Sequence, residues 1–496
     1  MRDRSPGFFP SANSRTDRLA RRGKLAHLQP MTPISPAALE ALTAALEPKA
    51  VVDRADHAPF LEEWRGRWPG ETPLIIAPST TEELSRALKI CSEHEIAVVP
   101  QGGNTGLVGG GAAKGEVIVT TKRMRQIREV SAEGFTMCLE AGVTLQEAQD
   151  IAKDKDRLFP LSIGAEGTAN IGGVLSTNAG GVHVLRYGNA RDLVLGLEVV
   201  LPDGRIWNGL NALRKNNTGY DLKHLFIGGE GTLGIITAAV LKLFPRPRDS
   251  VTALLALENA ENAVSLLSLC QERSGGQLGS FELLNGATVD LIHDHFGDLP
   301  RAVETRAPFY VLAEFASGQE DVLRPLTESI LESAFERGWV LDGVIAADES
   351  QAETLWQVRH NATEAMKNDG APCVKCDVSV PIGQIPGFLE KADEAVLAMA
   401  PDARIIAFGH MGDGNIHYDI LLPPSEGRDR MEAFERRVHD VVVDVGGSIS
   451  AEHGIGQLKR DELAERKSPV EMDLMRTIKR SLDPKGIMNP GKLLQP

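Results

Sequence analysis

Residues 100–111 read "PQGGNTGLVGGG", and they follow an apolar run that predicts a β-strand ending in a glycine-rich loop. Glycine lets the backbone come close to an anion and lets its N–H groups turn toward it. The spacing is wrong for the GxGxxG dinucleotide fingerprint, and no Gly-Lys-Ser/Thr follows that would indicate a P-loop. By itself this loop predicts either a phosphate cradle or a flexible turn.

Two further stretches have the same character. They are "GAEGTANIGGVLSTNAGG" (164–181) and "GGEGTLGIIT" (228–237), in which Thr, Asn and Ser accompany the glycines. Three such loops in one domain would form a long groove lined by backbone donors. A diphosphate joined to a large ring system is the kind of ligand that requires such a groove.

The order of the predicted elements divides the chain. Short apolar runs alternate with helical patterns from about residue 74 to Pro245 and Pro247, a pair that predicts a linker. A second unit follows with a strand–helix–strand–strand–helix–strand order. This order predicts an antiparallel sheet with helices on one face, and the tail from about residue 430 is predicted to be helical.

The glycine-rich loops, "RYG" (186–188), "NNTGYDLKHLFIGGEGTLGIIT" (216–237) and "DPKGIMNPGK" (483–492) resemble the vanillyl-alcohol-oxidase/PCMH-type FAD-linked oxidoreductases. More narrowly, the sequence is similar to their D-2-hydroxy-acid dehydrogenase branch from about residue 70 to the C-terminus. The resemblance implies an α+β fold: a PCMH-type two-subdomain FAD-binding domain, an α+β cap domain with an antiparallel sheet, and a helical C-terminal segment that returns to the FAD domain.

The resemblance also implies domain limits. The expected spans are 1–30 for a disordered or non-native N-terminal extension, 31–248 for the FAD-binding domain, 249–429 for the substrate- and metal-binding cap, and 430–496 for the C-terminal segment that completes the active site.

The same resemblance implies which residues bind FAD. The first loop would wrap the diphosphate, the second would line the diphosphate and the isoalloxazine, the third would contact the adenosine side, and Asn489 would reach the flavin. The first loop has no His or Cys, so the FAD is expected to be non-covalent. The residues are Gln101, Gly102, Gly103, Asn104, Thr105 and Gly106 in the first loop, Gly164, Thr168, Gly173, Thr177 and Asn178 in the second, and Glu230, Gly231, Ile235 and Ile236 in the third.

A second pattern is "GHMGDGNIH" (409–417), with two histidines seven residues apart. The glycines on either side of Asp413 predict a tight turn rather than a helix. The turn would place His410 beside His417, and Glu452 in "GSISAEHGIG" offers a carboxylate. Two imidazoles and a carboxylate predict a catalytic divalent-metal site, and the alternative is that each histidine is an ordinary polar loop residue.

By the resemblance, His410, His417 and Glu452 match the metal ligands of metal-dependent D-2-hydroxy-acid dehydrogenases, and His453 matches their proposed base. Zinc is expected from the ligand type, with manganese and cobalt as alternatives. The roles are chemically coherent. A hydroxyl is too weak an acid to lose its proton unaided while a flavin accepts the hydride from Cα, so a nearby dication and a base would assist.

Substrate selection is expected upstream of the histidines. Arg359 and Thr363 are four residues apart in "WQVRHNATEAM", which predicts one helical face, and "CVKCDVSVP" supplies Lys375. The resemblance implies that these residues bind a second carboxylate, and the alternative is a solvated helix face plus a strand lysine. Asp419 stands where the family typically has asparagine. Its charge would disfavour a carboxylate nearby unless it meets the metal shell or a cation.

Composition limits the classes of function. The chain has 496 residues, a length that favours several domains. Its formal charge of −15 argues against a nucleic-acid partner. No run approaches the length of a transmembrane helix. Five cysteines suit a reducing compartment, and Cys373 and Cys376 are interpreted as two thiols on a strand rather than a metal or redox motif.

Residues 1–30 are rich in Arg and Ser and have three interpretations: a transit peptide, a disordered tail, or an upstream miscalled start, since Met31 opens a sequence typical of a capped helix. The expected location is cytoplasmic for a bacterial protein, with the mitochondrial matrix as the alternative if this segment is a transit peptide.

Together these patterns predict an FAD-dependent, metal-assisted dehydrogenase that oxidises a D-2-hydroxy acid to the 2-oxo acid, with D-2-hydroxyglutarate as the expected substrate. D-lactate, glycolate and D-malate are alternatives with the same mechanism. A non-catalytic FAD-binding subunit of an electron-transfer assembly is an alternative from another class. The expected electron acceptor is a quinone, an electron-transfer flavoprotein or a cytochrome, and a homodimer is allowed.

Overall fold

The structure is a computed structural model that describes residues 34–63 and 66–495. Its first helix, α1 (Pro36–Ala44), begins at Ser35, whose side chain accepts a hydrogen bond from the Ala38 N–H at 3.2 Å. The capped helix predicted after Met31 is therefore present. The predictions for residues 1–30 fall outside the described residues.

The first unit contains two sheets of different kinds and a small two-stranded pairing. Its further helices are α2 (Ala58–Leu61), α3 (Thr81–Glu93), α4 (Leu145–Asp154), α5 (Ile171–Ser176), α6 (Val184–Tyr187) and α7 (Lys223–Phe226). Its strands are β1 (Ile75–Ile76), β2 (Val98–Gln101), β3 (Val117–Thr120), β4 (Ile127–Ser131), β5 (Thr136–Glu140), β6 (Arg157–Leu158), β7 (Val194–Val200), β8 (Ile206–Asn208), β9 (Ile235–Lys242) and β10 (Phe244–Pro245).

Strand direction separates the two sheets of this unit. The smaller sheet is parallel, with the order β1-β3-β2, and β2 leads straight into the first glycine-rich loop. The larger sheet is antiparallel, with the order β4-β5-β9-β7-β8. Strand β10, which includes Pro245 of the predicted linker, pairs with β6.

The second unit is built on one seven-stranded antiparallel sheet with the order β14-β11-β13-β12-β16-β17-β15. Its strands are β11 (Asp249–Leu257), β12 (Leu278–Asn285), β13 (Phe309–Ser317), β14 (Asp342–Ile345), β15 (Cys373–Ser379), β16 (Arg404–His410) and β17 (Asn415–Leu421). The helices that follow the first unit are α8 (Ala260–Ser274), α9 (Gly286–His295), α10 (Leu323–Glu336), α11 (Glu349–His360), α12 (Ala362–Asp369), α13 (Ile385–Met399), α14 (Met431–Asp444), α15 (Arg460–Arg466) and α16 (Pro469–Leu482).

Short 3-10 helices punctuate the loops of both units. They are Pro48–Ala50, Arg54–Asp56, Ala190–Leu193, Ile382–Gln384, Met411–Asp413 and Arg428–Arg430. Among the described residues, no helix is both long and apolar enough to cross a membrane.

Helices lie on both faces of the seven-stranded sheet. One face packs on α8, α10, α13 and α14, and the other is covered in part by α9, α11 and α12. The prediction of helices on one face is therefore wrong. The strand sequence "VTALLALE" is apolar without alternation, and Leu254 and Leu255, which point to opposite faces, are both buried. Such a run is typical of a strand that is covered on both sides.

A charged cluster fixes the antiparallel sheet of the first unit. The Arg128 guanidinium lies 3.1 Å from Glu140 Oε1 and 2.9 Å from Glu198 Oε1, and both carboxylates are buried. Burial raises the pKa of Glu198, but hydrogen bonds from Arg128, Thr81 and Thr237 outweigh it and hold that pKa below its ordinary value of 4.5. The folded state therefore favours the ionised carboxylate.

Arg128→Ala is expected to lower the free energy of unfolding by about 3 kcal/mol at pH 7, because it leaves two buried carboxylates without their cation. The pKa of Glu198 is depressed on folding, so its contribution is present above about pH 4.5 and is lost as the pH falls through the folded value. The difference from the unsubstituted protein should therefore shrink on acidification, as measured by denaturant unfolding between pH 3.5 and 7.

The matched control is Arg205→Ala, since the partner of Arg205, Asp203, is exposed. An exposed pair contributes little, so this variant should unfold like the unsubstituted protein. Equal destabilisation by the two substitutions would contradict the account.

Candidate active site

One face of the seven-stranded sheet is polar across the four strands from the central β12 to the edge strand β15. Successive side chains of a strand point to opposite faces, so residues two apart share a face. In the sheet register Glu282 pairs with His410, Asp377 with His417, and Lys375 with Asp419. The face opposite the α8 and α13 side therefore carries Glu282 on β12, His410 on β16, His417 and Asp419 on β17, and Lys375 and Asp377 on β15.

The two histidines of the 409–417 pattern lie on a β-hairpin. Strand β16 ends at His410, a 3-10 turn covers Met411–Asp413, and β17 brings His417 back beside Phe408. Gly414 has φ of +86°, and a Cβ there would come within 2.3 Å of the Val380 carbonyl oxygen. The predicted turn is confirmed, and it places the two imidazole centroids 5.9 Å apart.

Glu452 completes a group of three donors. One ligand atom each from His410, His417 and Glu452 lies within 4.8 Å of the others. His410 Nε2 is 3.7 Å from Glu452 Oε1. Glu452 comes from residues 447–456, hereafter the Glu452 loop. The structure thus brings together all three predicted metal ligands, and their two imidazoles and one carboxylate are a donor set that fits a divalent transition metal.

A buried carboxylate stands behind His410. Glu282 is fully buried, its Oε1 lies 2.6 Å from His410 Nδ1, and its Oε2 accepts a hydrogen bond from Arg359 Nε at 2.6 Å. With Nδ1 committed to Glu282, His410 presents Nε2 to Glu452. Metal-ligating histidines generally donate their second ring N–H to a carboxylate in this way.

A second buried carboxylate, Asp377, stands behind His417. Its Oδ1 lies 3.8 Å from His417 Nδ1 and its Oδ2 lies 3.5 Å from His453 Nδ1. Oδ2 also accepts hydrogen bonds from the backbone N–H groups of Glu452 and His453, both at 2.9 Å. The predicted base, His453, is therefore held beside the predicted ligands.

Burial and charge set the protonation of this group. Burial lowers the pKa of His417 to about 3, so this imidazole is neutral at physiological pH and its lone pair is available. Burial also lowers the pKa of His410, but the Glu282 carboxylate outweighs it and raises the value to about 8. Burial raises the pKa of Glu452 to about 7. A dication beside Glu452 would favour its ionised form.

The Glu452 loop also forms hydrogen bonds with the first unit. Glu230, in the third glycine-rich loop, accepts hydrogen bonds from the N–H groups of Ile455 at 2.8 Å and Gly456 at 2.7 Å. A Cβ on Gly180, in the second glycine-rich loop, would come within 2.8 Å of Glu452 Oε1. The donor group therefore lies against the glycine-rich loops.

The three glycine-rich loops pack directly on one another. A Cβ on Gly103 would come within 2.1 Å of the Thr168 carbonyl oxygen, so the first and second loops touch through their backbones. Gly231, with φ of +69°, packs against Pro100 and joins the third loop to the first. Only glycine fits these contact points.

Two features of the three glycine-rich loops fit a nucleotide cofactor. A Cβ on Gly106 or Gly164 would meet no atom within 4 Å, so these glycines border open space. The buried amide oxygens of Asn170 and Asn489 accept no hydrogen bond within the described chain. Buried acceptors generally find a donor, and FAD offers amino, imide and hydroxyl donors.

Several predicted FAD-binding residues use their side chains to form hydrogen bonds with neighbouring backbone segments. Gln101 Nε2 donates to the carbonyls of Phe60 and Gly111, and Asn104 Nδ2 donates to that of Glu62. Asn178 Oδ1 accepts a hydrogen bond from the Arg191 N–H, and Asn489 Nδ2 donates to the Glu230 carbonyl at 2.7 Å.

Other predicted FAD-binding residues differ in exposure. Thr168 and Thr177 are exposed, whereas Ile235 and Ile236 have buried side chains in separate hydrophobic cores. Contact of these residues with FAD remains a prediction.

The predicted substrate residues are arranged differently from the sequence expectation. Arg359 is the penultimate residue of α11, and Thr363 lies on α12 beyond a break at Asn361. The continuous helical face predicted for them is wrong. Arg359 is buried against Glu282, with its guanidinium over the Phe408 ring at 4.7 Å, whereas Thr363 is exposed.

Lys375 and Asp419 form an ion pair across β15 and β17. Lys375 Nζ lies 3.9 Å from Asp419 Oδ2, and both side chains are largely shielded from solvent. Of the two outcomes foreseen for Asp419, contact with a cation is therefore the one observed.

Neither Glu282 nor Asp377 was among the site residues predicted from the sequence. Glu282 lies in "SFELL", where one acid interrupts an apolar strand, and this interruption was the available signal. Asp377 is two residues from Lys375, so strand alternation alone predicts that they share a face. Cys373 and Cys376, three apart on β15, pack into different cores, which fits the interpretation of two strand thiols.

Comparison with known proteins agrees with this architecture. A family model described as "FAD binding domain" matches residues 72–209, and one described as "FAD linked oxidases, C-terminal domain" matches residues 246–493. The D-2-hydroxyglutarate dehydrogenase of Stutzerimonas stutzeri is 36% identical over 464 residues, 92% of this chain and 99% of the relative. The mitochondrial D-2-hydroxyglutarate dehydrogenase of Arabidopsis thaliana is 38% identical over 434 residues, 87% of this chain and 77% of the relative.

Solved structures share the fold. Alkyldihydroxyacetonephosphate synthase superposes with a TM-score of 0.71 at 18% identity, covering 94% of this chain and 87% of that one. p-Cresol methylhydroxylase with substrate bound superposes with a TM-score of 0.67 at 18% identity, covering 92% of this chain and 96% of that one. At this identity the likeness establishes the fold alone, a PCMH-type α+β flavoprotein fold.

The fold and the matched domains define a flavoprotein oxidoreductase that binds FAD. The chain belongs to the FAD-linked oxidase family, in the branch that contains the D-2-hydroxyglutarate dehydrogenases. The predicted family, fold class and FAD dependence are confirmed.

Gly103→Ala is expected to reduce the FAD content at least several-fold, because the new Cβ would press against the Thr168 carbonyl and part the first two loops. The ratio of flavin to protein absorbance after gel filtration measures this loss. Gly297→Ala is the control, since a Cβ there meets no atom within 4 Å. Full flavin occupancy in Gly103→Ala would contradict the close packing of the loops.

Proposed function

We propose that this chain oxidises a D-2-hydroxy acid to the 2-oxo acid, with non-covalent FAD and a divalent metal ion, with zinc as the expected metal. The observation that carries the proposal is the donor group of His410, His417 and Glu452, packed against the second glycine-rich loop. D-2-hydroxyglutarate is the preferred substrate in this proposal, because the relatives above carry that name at 36% and 38% identity.

The cofactors would supply two kinds of chemistry. Bound FAD would supply a hydride acceptor for the substrate Cα, and a dication held by His410, His417 and Glu452 would stabilise negative charge on the substrate hydroxyl oxygen. Both depend on where the chain places the substrate, so the remaining steps belong to protein residues.

His453 is the proposed base. Its Nδ1 faces Asp377, which leaves Nε2 as the atom that can take the hydroxyl proton. The ring centroids of His417 and His453 are 6.4 Å apart, which supports a role for His453 as the base beside the predicted metal ligands. Proton removal and charge stabilisation would thus act on the same oxygen.

Arg359 is the proposed carboxylate anchor. Its Nε is used by Glu282, so its terminal nitrogens remain for the substrate carboxylate. Phe408 packs under the guanidinium plane and Glu282 fixes its direction, which makes Arg359 a rigid cation rather than a mobile one.

A second candidate substrate class is a 2-hydroxy acid without a second carboxylate, such as D-lactate or glycolate. The observation that favours it is the ion pair between Lys375 and Asp419, because Asp419 offsets the positive charge that a distal carboxylate would seek. D-malate remains an alternative of the dicarboxylate class. Anaerobic bleaching of the flavin by each D- and L-acid ranks the substrates directly.

The electron acceptor and the assembly state are also proposals. Reduced flavin must pass its electrons on, and a quinone, an electron-transfer flavoprotein or a cytochrome would serve. The proposal includes a homodimer and a cytoplasmic location, with the mitochondrial matrix as the alternative if residues 1–30 are a transit peptide. Reoxidation of substrate-reduced protein by each acceptor class, followed at the flavin absorbance, tests the first of these proposals.

His410→Ala and Glu452→Ala are expected to lower turnover at least roughly 100-fold, the order seen when one electrostatic stabiliser is removed, while the yellow flavin spectrum persists. Zinc content after dialysis should fall in parallel, because each substitution removes one of three donors. His453→Ala is the matched control: it should lose turnover to a similar degree and keep its zinc. Unchanged activity after treatment with a strong chelator would remove the metal from the proposal.

Asp419→Asn tests the substrate class. Removing this charge frees Lys375, so kcat/KM for D-2-hydroxyglutarate should rise by roughly 3- to 10-fold, the effect of a partly shielded charge. The kcat/KM for D-lactate should stay unchanged. Asp393→Asn is the control, because Asp393 binds the Tyr418 hydroxyl on the opposite face of the sheet. An equal rise for both acids would assign the effect to the chemical step instead of the distal end.

A further inference from the structure

Asp377 is the point where three functional elements of the site meet. Its carboxylate is almost fully buried and lies between two imidazoles, 3.8 Å from His417 Nδ1 and 3.5 Å from His453 Nδ1. It also accepts the backbone N–H groups of Glu452 and His453. No other described carboxylate in the site contacts a predicted ligand, the predicted base and the Glu452 loop together.

The carboxylate is itself held rigidly. Asn415 Nδ2 donates to Asp377 Oδ1 at 3.0 Å and to the Val378 carbonyl at 3.0 Å, so the amide fixes the plane of the carboxylate from the hairpin side. Residues 379 and 448 pair through two backbone hydrogen bonds of 3.1 and 2.7 Å, which tie the strand after Asp377 to the Glu452 loop. A fixed acceptor can orient what it touches.

We infer that Asp377 is a positioning residue that sets the tautomer and direction of both His417 and His453. A carboxylate next to Nδ1 favours the proton on that nitrogen, which leaves Nε2 with its lone pair. For His417 that lone pair is the metal donor, and for His453 it is the proton acceptor. This inference rests on the proposed function, because it assumes the metal site and the base.

Geometry separates Asp377 from Glu282, the other buried carboxylate. Glu282 serves one ligand, His410, and the guanidinium of Arg359, and it belongs to strand β12. Asp377 serves a ligand and the base, and it also fixes the backbone of Glu452. Loss of Asp377 should therefore both weaken metal binding and slow proton removal. Loss of Glu282 should affect His410 and Arg359 but not the base, His453.

Asp377→Asn keeps the size of the side chain and removes the charge. One side of the amide must then present an N–H group either to the backbone N–H groups of the Glu452 loop or to Asn415 and His417, so one donor is left facing a donor. Zinc affinity, measured by competition with a chromophoric chelator, is expected to fall by roughly 10- to 100-fold, the range for such supporting carboxylates.

The second measurement isolates the base. With zinc at saturating concentration, the limiting rate of anaerobic flavin reduction should still fall at least about 10-fold, while the substrate concentration giving half that rate changes little. A residue that only stabilises the fold would not separate these two parameters. Flavin content and the thermal midpoint are recorded alongside, and Asp393→Asn is the matched control with the same substitution on the opposite face of the sheet.

The outcomes distinguish the inference from the proposal beneath it. If His410→Ala binds zinc as tightly as the unsubstituted protein, the metal site itself fails. If His410→Ala loses zinc but folded, flavin-loaded Asp377→Asn keeps both its zinc affinity and its reduction rate, the role of Asp377 is overturned.

If Asp377→Asn does not fold, Asn415→Ser carries the test. This change removes the donor that orients the carboxylate and leaves Asp377 in place. Zinc affinity is expected to fall by a few-fold, the effect of one lost hydrogen bond. No change in affinity or in the reduction rate would overturn the inference.

Discussion

The site depends on how the Glu452 loop is held from two sides. Asp377, on the large sheet, accepts the N–H groups of Glu452 and His453, and Glu230, in the third glycine-rich loop, accepts those of Ile455 and Gly456. Both carboxylates are buried, where an ionised group is stable only if donors surround it. Five consecutive residues of one loop thus join the FAD-binding unit to the sheet that carries the histidines.

Buried carboxylates are also what prepare the histidines. An imidazole in an apolar surrounding has no fixed tautomer of its own, and its neighbours decide which nitrogen keeps a lone pair. Glu282 takes Nδ1 of His410, and Asp377 faces Nδ1 of His417. The Nε2 atoms of His410 and His417 are then the nitrogens that would bind one shared metal ion. Strand alternation places each carboxylate beside its histidine, because paired residues of neighbouring strands point to the same face of the sheet.

The substrate end of the site carries a different balance of charge. Glu282 neutralises part of the Arg359 charge and Asp419 part of that of Lys375, so neither cation is isolated. A dicarboxylate would have to compete with these internal partners, whereas a monocarboxylate needs only one of the cations. In the proposed function, this balance of charge would decide which 2-hydroxy acid the protein prefers.

The sequence predicted the fold class and the FAD-binding family through its resemblance to known proteins. It predicted the three glycine-rich loops because close backbone contacts demand glycine at positions such as Gly103. It also determined the histidine hairpin, since Gly-Asp-Gly forces a turn. Three features are visible only in the folded chain: Glu282 and Asp377 stand behind the histidines, Arg359 and Thr363 lie on separate helices, and Asp419 meets Lys375. The contacts of Glu282, Asp377 and Asp419 join strands far apart in the chain, and no local pattern of propensity or periodicity encodes which strands become neighbours.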